Sequence, residues 1–337
     1  MGSERRTNIL NGDRVLISPD RAHRPYAYIK ARSSLSPENC PFCPGHENET
    51  TSETLAYRTH GSNRDDPHWW VRFIPNKYSA VGREKNGTKS HPLFPKEDAI
   101  GIHEIGITRE HGVDFGEQGF DDKHNLTYEL LWALHERKLS LHSQDPSLIF
   151  ATFFKNRGEE AGGSLDHPHI QLIAQDAIPR EREIEFSKTF EYHLKTGRCG
   201  LCDIVGAQLQ IGDLIVDKNN DYIALEPHAS RTPYETWIVP LNHEKSFSLT
   251  PQKANNLANI LRKTFSRLNH LLKNPDYNFS IRDTPLTSNG FSDLTYHWYI
   301  EFSPRVTKRG GYEHGTGEYI NPLLPEKAAE NLRAVPV

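Results

Sequence analysis

Two histidines two positions apart, His167 and His169 in the stretch DHPHIQ, are followed at the same interval by Gln171. In an extended chain these three side chains share one face, while Pro168, Ile170 and Leu172 take the other, apolar one. Sheet packing gains nothing from a row of imidazoles and an amide, so the row reads as chemistry. A neutral imidazole is a competent nucleophile near pH 7, and its phosphoramidate stays reactive enough to pass the group onward. His169 is therefore the candidate nucleophile. The amide of Gln171 can donate to a phosphoryl oxygen as charge develops there. It is a poor base for activating water, which favours transfer over hydrolysis. The preceding KNRGEEAGGSLDH offers Gly158, Gly162, Gly163 and Ser164, whose N–H groups and hydroxyl suit a phosphate. No G-K-[ST] is present, so the loop is not a P-loop.

The four cysteines fall in two pairs, CPFC (Cys40, Cys43) and CGLC (Cys199, Cys202). Such pairs in a reducing compartment point to metal hairpins or redox dithiols rather than structural disulfides. The turn formers around CPFC favour the metal. A histidine follows each pair at the end of a β-like run, His111 and His243, and a second lies 56 positions after the first of these and 54 after the other: His167 and His297. Each copy thus supplies two thiols and two imidazoles, the donor set of a closed tetrahedral zinc site. Two zinc ions per chain are expected.

Elements that would hold these residues recur in the same order. Apolar residues at helical spacing mark about 125–144 and the stretch from Thr250 to Asn274, the latter with Thr250 as cap and Pro251 in the first turn. After each helix come an apolar strand, a Gly- or Ser-rich loop and a last strand, DHPHIQLIA in one copy and YHWYIEFSP in the other. The chain reads as a duplicated unit, divided as 1–196, a catalytic half, and 197–337, a supporting half. A polar, Pro-rich insertion lies near 84–98 in the first copy. Aligning the last strands sets Tyr299 against His169 and Glu301 against Gln171, so only the first copy keeps the nucleophile.

The composition is that of a soluble globular protein, with 25% charged and 36% apolar residues. A net charge of −4 offers no basic surface for a nucleic-acid backbone, and no apolar run is long enough to cross a bilayer. The start lacks the apolar region of a secretory signal. A cytoplasmic protein is expected, with neither nucleic acid nor membrane as partner.

At CPFC, IPN, KNRGEEAGGS, HPHIQ and the final GYE…EKAAENLRAV the sequence resembles the galactose-1-phosphate uridylyltransferase family of the histidine-triad (HIT) superfamily, over nearly its whole length. The resemblance implies an α+β fold of duplicated HIT-like units, open, mainly antiparallel half-barrel sheets with packed helices, assembled as a homodimer. It implies that His169 becomes nucleotidylated, that Gln171 contacts the α-phosphoryl group, and that Cys40, Cys43, His111 and His167 bind zinc. Asn156 and Ser164 match phosphate contacts, Asn76 a nucleotide-site residue, and Arg21 and Arg24 arginines that reach a partner subunit's site. Tyr312, Glu313 and Tyr319 match the sugar-binding segment. Glu185 falls where bacterial members place an iron-binding glutamate. The late strand nevertheless offers only His297, so Cys199, Cys202, His243 and His297 resemble the second zinc site of the plant-type branch that phosphorolyses ADP-glucose. GTGEYINP resembles that branch too.

The implied activity is transfer of a nucleoside monophosphate between a nucleotide sugar and phosphate or a sugar 1-phosphate, with an ADP-glucose phosphorylase as the alternative. A zinc-dependent nucleotide- or nucleic-acid-binding module fits the C-x-x-C pairs but not the acidic charge or the unduplicated His169–Gln171 pair. A hydrolytic zinc enzyme needs an open metal position, which four protein ligands close.

Overall fold

A computed structural model of the chain describes residues 3–23, 36–85, 87–115, 125–287 and 294–337. The first half carries β1 (Glu4–Thr7), β2 (Arg14–Ile17), β3 (Leu55–Arg58), β4 (Trp69–Pro75), β5 (Gly101–Thr108), α1 (Leu126–Gln144), β6 (Phe150–Arg157), β7 (His169–Gln175) and α2 (Arg180–Thr196). There follow α3 (Gly200–Ile211), β8 (Ile215–Lys218), β9 (Tyr222–Leu225), β10 (Thr236–Pro240), α4 (Pro251–Leu272), β11 (Tyr277–Arg282), β12 (Tyr299–Pro304), α5 (Gly311–Thr316), β13 (Tyr319–Asn321) and α6 (Pro325–Arg333).

Ten strands form one sheet in the order β3-β4-β5-β7-β6-β11-β12-β10-β9-β8, with every neighbouring pair antiparallel. The order reads alike from either edge, so β3 to β7 correspond to β8 to β12. This is the duplication expressed as topology. The halves meet along β6 and β11, where Phe154 pairs with Ser280. Phe154 also pairs with Gln171, and Ser280 with Glu301, which confirms the register that sets Gln171 opposite Glu301. A separate small sheet, β1-β2-β13, joins the beginning of the chain to its end.

Alternation along the strands gives the sheet two unlike faces. Ile170, Leu172 and Ala174 on β7, Phe153 on β6, Phe279 and Ile281 on β11, and Ile300 and Phe302 on β12 enter the main apolar core. Helices α1 and α4 cover that face, packing on each other and on β4, β5, β8 and β9. Each helix starts at a side-chain cap: Asn125 accepts from the N–H of Tyr128, and Thr250 from that of Lys253 ahead of Pro251. The other face carries His169 and Gln171 on β7, His103 on β5, Asn156 on β6, Asn278 on β11, and Tyr299 and Glu301 on β12.

One local expectation is corrected, and one difference between the copies appears. His167 is not part of the strand: β7 begins at His169, and His167 lies in the bend before it. A prolyl residue between the two histidines cannot donate to a ladder, so the pairing starts beyond it. His297 stands in the same place before β12. The second C-x-x-C also differs from the first, since Cys199 caps α3 and Cys202 lies in its first turn, whereas Cys40 and Cys43 occupy turns. The described residues of the insertion near 84–98 contribute no strand to the sheet and are mostly exposed, between β4 and β5.

Helix α1 is fastened to β5 by a buried ion pair. Arg137 donates to both oxygens of Glu104, from Nε at 2.6 Å and from a terminal nitrogen at 2.8 Å. Glu104→Leu leaves that guanidinium buried without its anion. It should cost about 3–5 kcal/mol, read as a lowered urea midpoint. An unchanged midpoint would show that this pair does not fasten the helix.

Candidate active site and metal centres

The bend before β7 is built from the ring of His167, which is fully buried. Its Nε2 donates to the carbonyl of Thr108 at 2.7 Å, which turns Nδ1 toward Cys40 and Cys43 Sγ, 3.5 Å from each. Burial pushes this imidazole down to about 4, so it is a neutral, lone-pair-bearing ring. Nδ1 of His111 lies 3.3 Å from Cys43 Sγ, and one donor atom from each of the four residues fits within 4.8 Å of the others. Bonds of about 2.3 Å to sulfur and about 2.0 Å to nitrogen at tetrahedral angles set a sulfur–nitrogen edge of about 3.5 Å. The group has that size.

The second group repeats the first. Cys202 Sγ lies 3.2 Å from His243 Nδ1 and 3.4 Å from His297 Nδ1, and Cys199 completes the set within the same 4.8 Å limit. Charge tells the same story as size. Burial and the neighbouring Cys40 push Cys43 up to about 12, and in the other pair the hydrogen bond with Cys199, together with burial, pushes Cys202 up as well. Two adjacent thiols do not ionise together unless a cation compensates them. Both groups can therefore hold a metal, with Cys40, Cys43, His111 and His167 around one ion and Cys199, Cys202, His243 and His297 around the other.

His169 opens β7 and is 7% exposed. Its Nδ1 lies 2.8 Å from the carbonyl of His167. A carbonyl only accepts, so the proton is on Nδ1 and the lone pair on Nε2. Burial holds the ring below the ordinary imidazole range, outweighing that hydrogen bond. Phe42, between the two cysteines, sets its ring edge-on to His169 with centroids 5.4 Å apart. On the helix side of the same strand ends, Asp114 joins Lys155 at 2.6 Å, Arg157 at 3.3 Å and the Tyr277 hydroxyl at 2.7 Å. Burial opposes ionisation of this carboxyl, but Lys155 and Arg157 prevail and hold it down to about 2.

Around His169 the face is lined with carboxamides whose oxygens are already engaged. Gln171 Oε1 lies 2.9 Å from His103 Nε2. Asn156 Oδ1 accepts from Asn278 Nδ2 at 2.8 Å, and Asn278 in turn bonds the carbonyl of Ala161 and accepts from Arg305. Asn76 Oδ1 accepts from the N–H of Tyr78 at 2.8 Å, and its Nδ2 is 3.1 Å from His103 Nε2. Next to Asn156 the glycine loop folds back on itself. Gly158 and Gly162 adopt positive φ, and a Cβ on Gly163 would come within 2.9 Å of the Asn156 carbonyl and the Gly158 nitrogen. Ser164 follows and is exposed.

A sequence model of the galactose-1-phosphate uridyl transferase N-terminal domain matches residues 1–179. The chain belongs to this family. It is 30% identical to an ADP-glucose phosphorylase of Arabidopsis thaliana over 95% of its own length and 90% of the relative's. To a galactose-1-phosphate uridylyltransferase of Thermotoga maritima it is 25% identical over 99% of both. The crystal structure of an Arabidopsis thaliana ADP-glucose phosphorylase with bound ADP-glucose superposes with a TM-score of 0.83 at 29% identity, covering 100% of each chain. The fold is the HIT-like α+β architecture of the family.

Among family positions marked in the sequence, Asn76, Asn156 and Gln171 fall on the face of His169. Tyr312, Glu313 and Tyr319 make a different neighbourhood. Tyr312 donates to Glu318 at 2.8 Å, Glu313 caps α5 through the N–H of Gly310, and Tyr319 accepts from Arg309 at 2.8 Å while Arg231 lies over its ring. Arg21 sits half-buried in a short 3-10 helix after β2, and Arg24 lies outside the described residues. Glu185 is not a metal ligand in either group. It is buried between Arg182, the hydroxyls of Tyr296 and Tyr299, and Arg282. Arg282 also binds Glu301, which Arg231 shares with Glu235. The counterpart of the His169 site is thus filled by an ion network. The sequence reading missed His103, Asn278, Arg305, Asp114 and Phe42; for Phe42 alone a signal existed, its place inside C-P-F-C.

Metal analysis should return two ions per chain in protein never exposed to chelator. Cys43→Ser should lose one and lower activity and unfolding midpoint together, because His167 is two residues from His169. Cys202→Ser should lose the other and act mainly on stability. Tyr299→Phe removes one hydrogen bond to Glu185, so it should cost about 1 kcal/mol of stability and leave turnover nearly unchanged. A large kinetic defect would mean that the two halves have been assigned in the wrong order.

Proposed function

We propose that the chain is a nucleotidyltransferase that moves a nucleoside monophosphate group from a nucleotide sugar to a phosphate-bearing acceptor by way of His169. The single observation that carries the reading is the bond from His169 Nδ1 to the His167 carbonyl, which leaves Nε2 as the nucleophile. In the first step Nε2 attacks the α-phosphorus in line, and the breaking P–O bond returns its electron pair to the departing sugar 1-phosphate. No proton has to move. The Nδ1 hydrogen remains on the ring, and the His167 carbonyl stabilises the positive charge that develops on it. In the second step a phosphate oxygen attacks the same phosphorus and Nε2 leaves with its electron pair. Neutral donors on Gln171, Asn156 and the glycine loop suit the charge on the phosphoryl oxygens. Both leaving group and attacking group are phosphates, so positioning outweighs acid–base assistance.

Zinc is the ion we assign to both groups, on the donor set of two thiolates and two imidazoles with all four positions filled by protein. Its part is structural: it would hold His167, and through that residue the carbonyl facing His169. Inorganic phosphate is the acceptor that the likeness to ADP-glucose phosphorylase supports, while a sugar 1-phosphate is the acceptor of the uridylyltransferase reading. We also propose a cytoplasmic homodimer, in which Arg21 and Arg24 serve the partner's site, and we assign the Tyr312–Tyr319 segment to binding the sugar.

Incubation with ADP-glucose or UDP-glucose labelled at the α-phosphate should leave the label on the protein, and phosphate should release it. His169→Gly should carry no label and show no turnover, yet keep its metal and its fold. Added imidazole should restore some turnover by forming a free nucleotidyl-imidazole. Near-normal rates in His169→Gly would sink the reading.

A further inference from the structure

Gln171 can assist only if its amide presents nitrogen, not oxygen, to the phosphoryl group. An unanchored carboxamide rotates between the two orientations, and an oxygen facing a developing anion would oppose the reaction. What fixes it is a residue 68 positions earlier in the chain. His103 stands on β5, across the ladder from Ile173 and diagonal to Gln171, on the same face of the sheet. Its ring is 8% exposed. The backbone N–H of Ala80 points at His103 Nδ1 from 3.2 Å. That group can only donate, so Nδ1 is the acceptor and the ring proton is on Nε2. Nε2 in turn lies 2.9 Å from Gln171 Oε1. Asn76 Nδ2, although 3.1 Å from the same nitrogen, is a fellow donor and makes no hydrogen bond to it.

We infer that His103 is a positioning residue that holds the Gln171 amide oxygen-first, through a relay from the Ala80 N–H to Nδ1 and from Nε2–H to Oε1, so that the Gln171 nitrogen faces the α-phosphoryl group. The inference rests on the nucleotidyl-transfer reading above. His103 touches no reacting atom. Its effect passes entirely through Gln171, and that separates it from a residue that merely supports the fold.

A double-mutant cycle on the rate of protein labelling by α-phosphate-labelled ADP-glucose and UDP-glucose tests this. Gln171→Ala should slow labelling by roughly 10²–10³-fold, the loss typical of one charge-stabilising donor. His103→Phe, which keeps the ring but neither nitrogen, should slow it at least tenfold in the otherwise native protein, on kcat rather than KM. In the Gln171→Ala background the same change should cost less than threefold. His103→Gln, whose amide can both accept from Ala80 and donate to Gln171, should recover most of the rate, and it also serves if His103→Phe fails to fold. Equal losses from the His103 change in both backgrounds, or no loss in either, overturn the inference while the transfer reading stands. A wild-type protein that takes no label from either sugar overturns the reading itself, and the inference with it.

Discussion

One hydrogen bond ties the first candidate metal group to His169. The carbonyl of His167 accepts from His169 Nδ1, and the ring of the same His167 faces the two thiols of the first metal group. The backbone unit that fixes the tautomer of His169 is therefore held by its own side chain. Were that bend free, the imidazole of His169 could rotate or exchange tautomers, and its lone pair would be spread over several directions. Thr108 closes the arrangement from β5 by accepting from the remaining nitrogen of His167. The ring is held at both edges, and the strand that follows starts from a fixed point.

The two halves use the same polar face of the sheet in opposite ways. Around His169 the side chains are carboxamides and an imidazole, and the oxygens of Gln171 and Asn156 are already occupied, which leaves their amide N–H groups for an anion. Around Tyr299 the corresponding positions are charged and mutually paired: Glu301 with Arg231 and Arg282, and Glu185 with Arg182. Buried charges of this kind are stable only while every partner is present. The second half is thus committed to being filled, and its reward is rigidity at the seam, where Asn278 reaches across to Asn156.

What the sequence disclosed follows from how far apart the interacting residues lie along it. His169, Gln171 and the cysteine pairs announce themselves because chemically active types recur at short intervals and then recur again in the second copy. The helices α1 and α4 are legible from leucine spacing, and α4 also from its cap at Thr250. By contrast, His103 acts on Gln171 from 68 positions away and Asn278 on Asn156 from 122, and only strand register brings either pair together. Helix α2 escaped notice for another reason. Its buried side chains are Arg182, Glu185, Phe186 and Thr189, a stripe of mostly polar residues whose burial depends on partners in other elements. The small sheet of β1, β2 and β13 was hidden by strands of three and four residues, too short to show a period.

At the seam, Phe154 lies opposite Ser280, and these two residues occupy equivalent positions in their own halves. A pseudo-twofold axis therefore passes between them, and residues on either side are exchanged by it, as in an isologous contact between identical subunits. A chain of half this length could build the same ten-stranded sheet by pairing with a second copy of itself. In such a pair every substitution is made twice, so a nucleophile lost from one site is lost from both. Covalent linkage of the halves removes that restriction. Once the copies are joined, tyrosine at position 299 and histidine at position 169 can coexist, and symmetry no longer obliges the two halves to carry the same side chains.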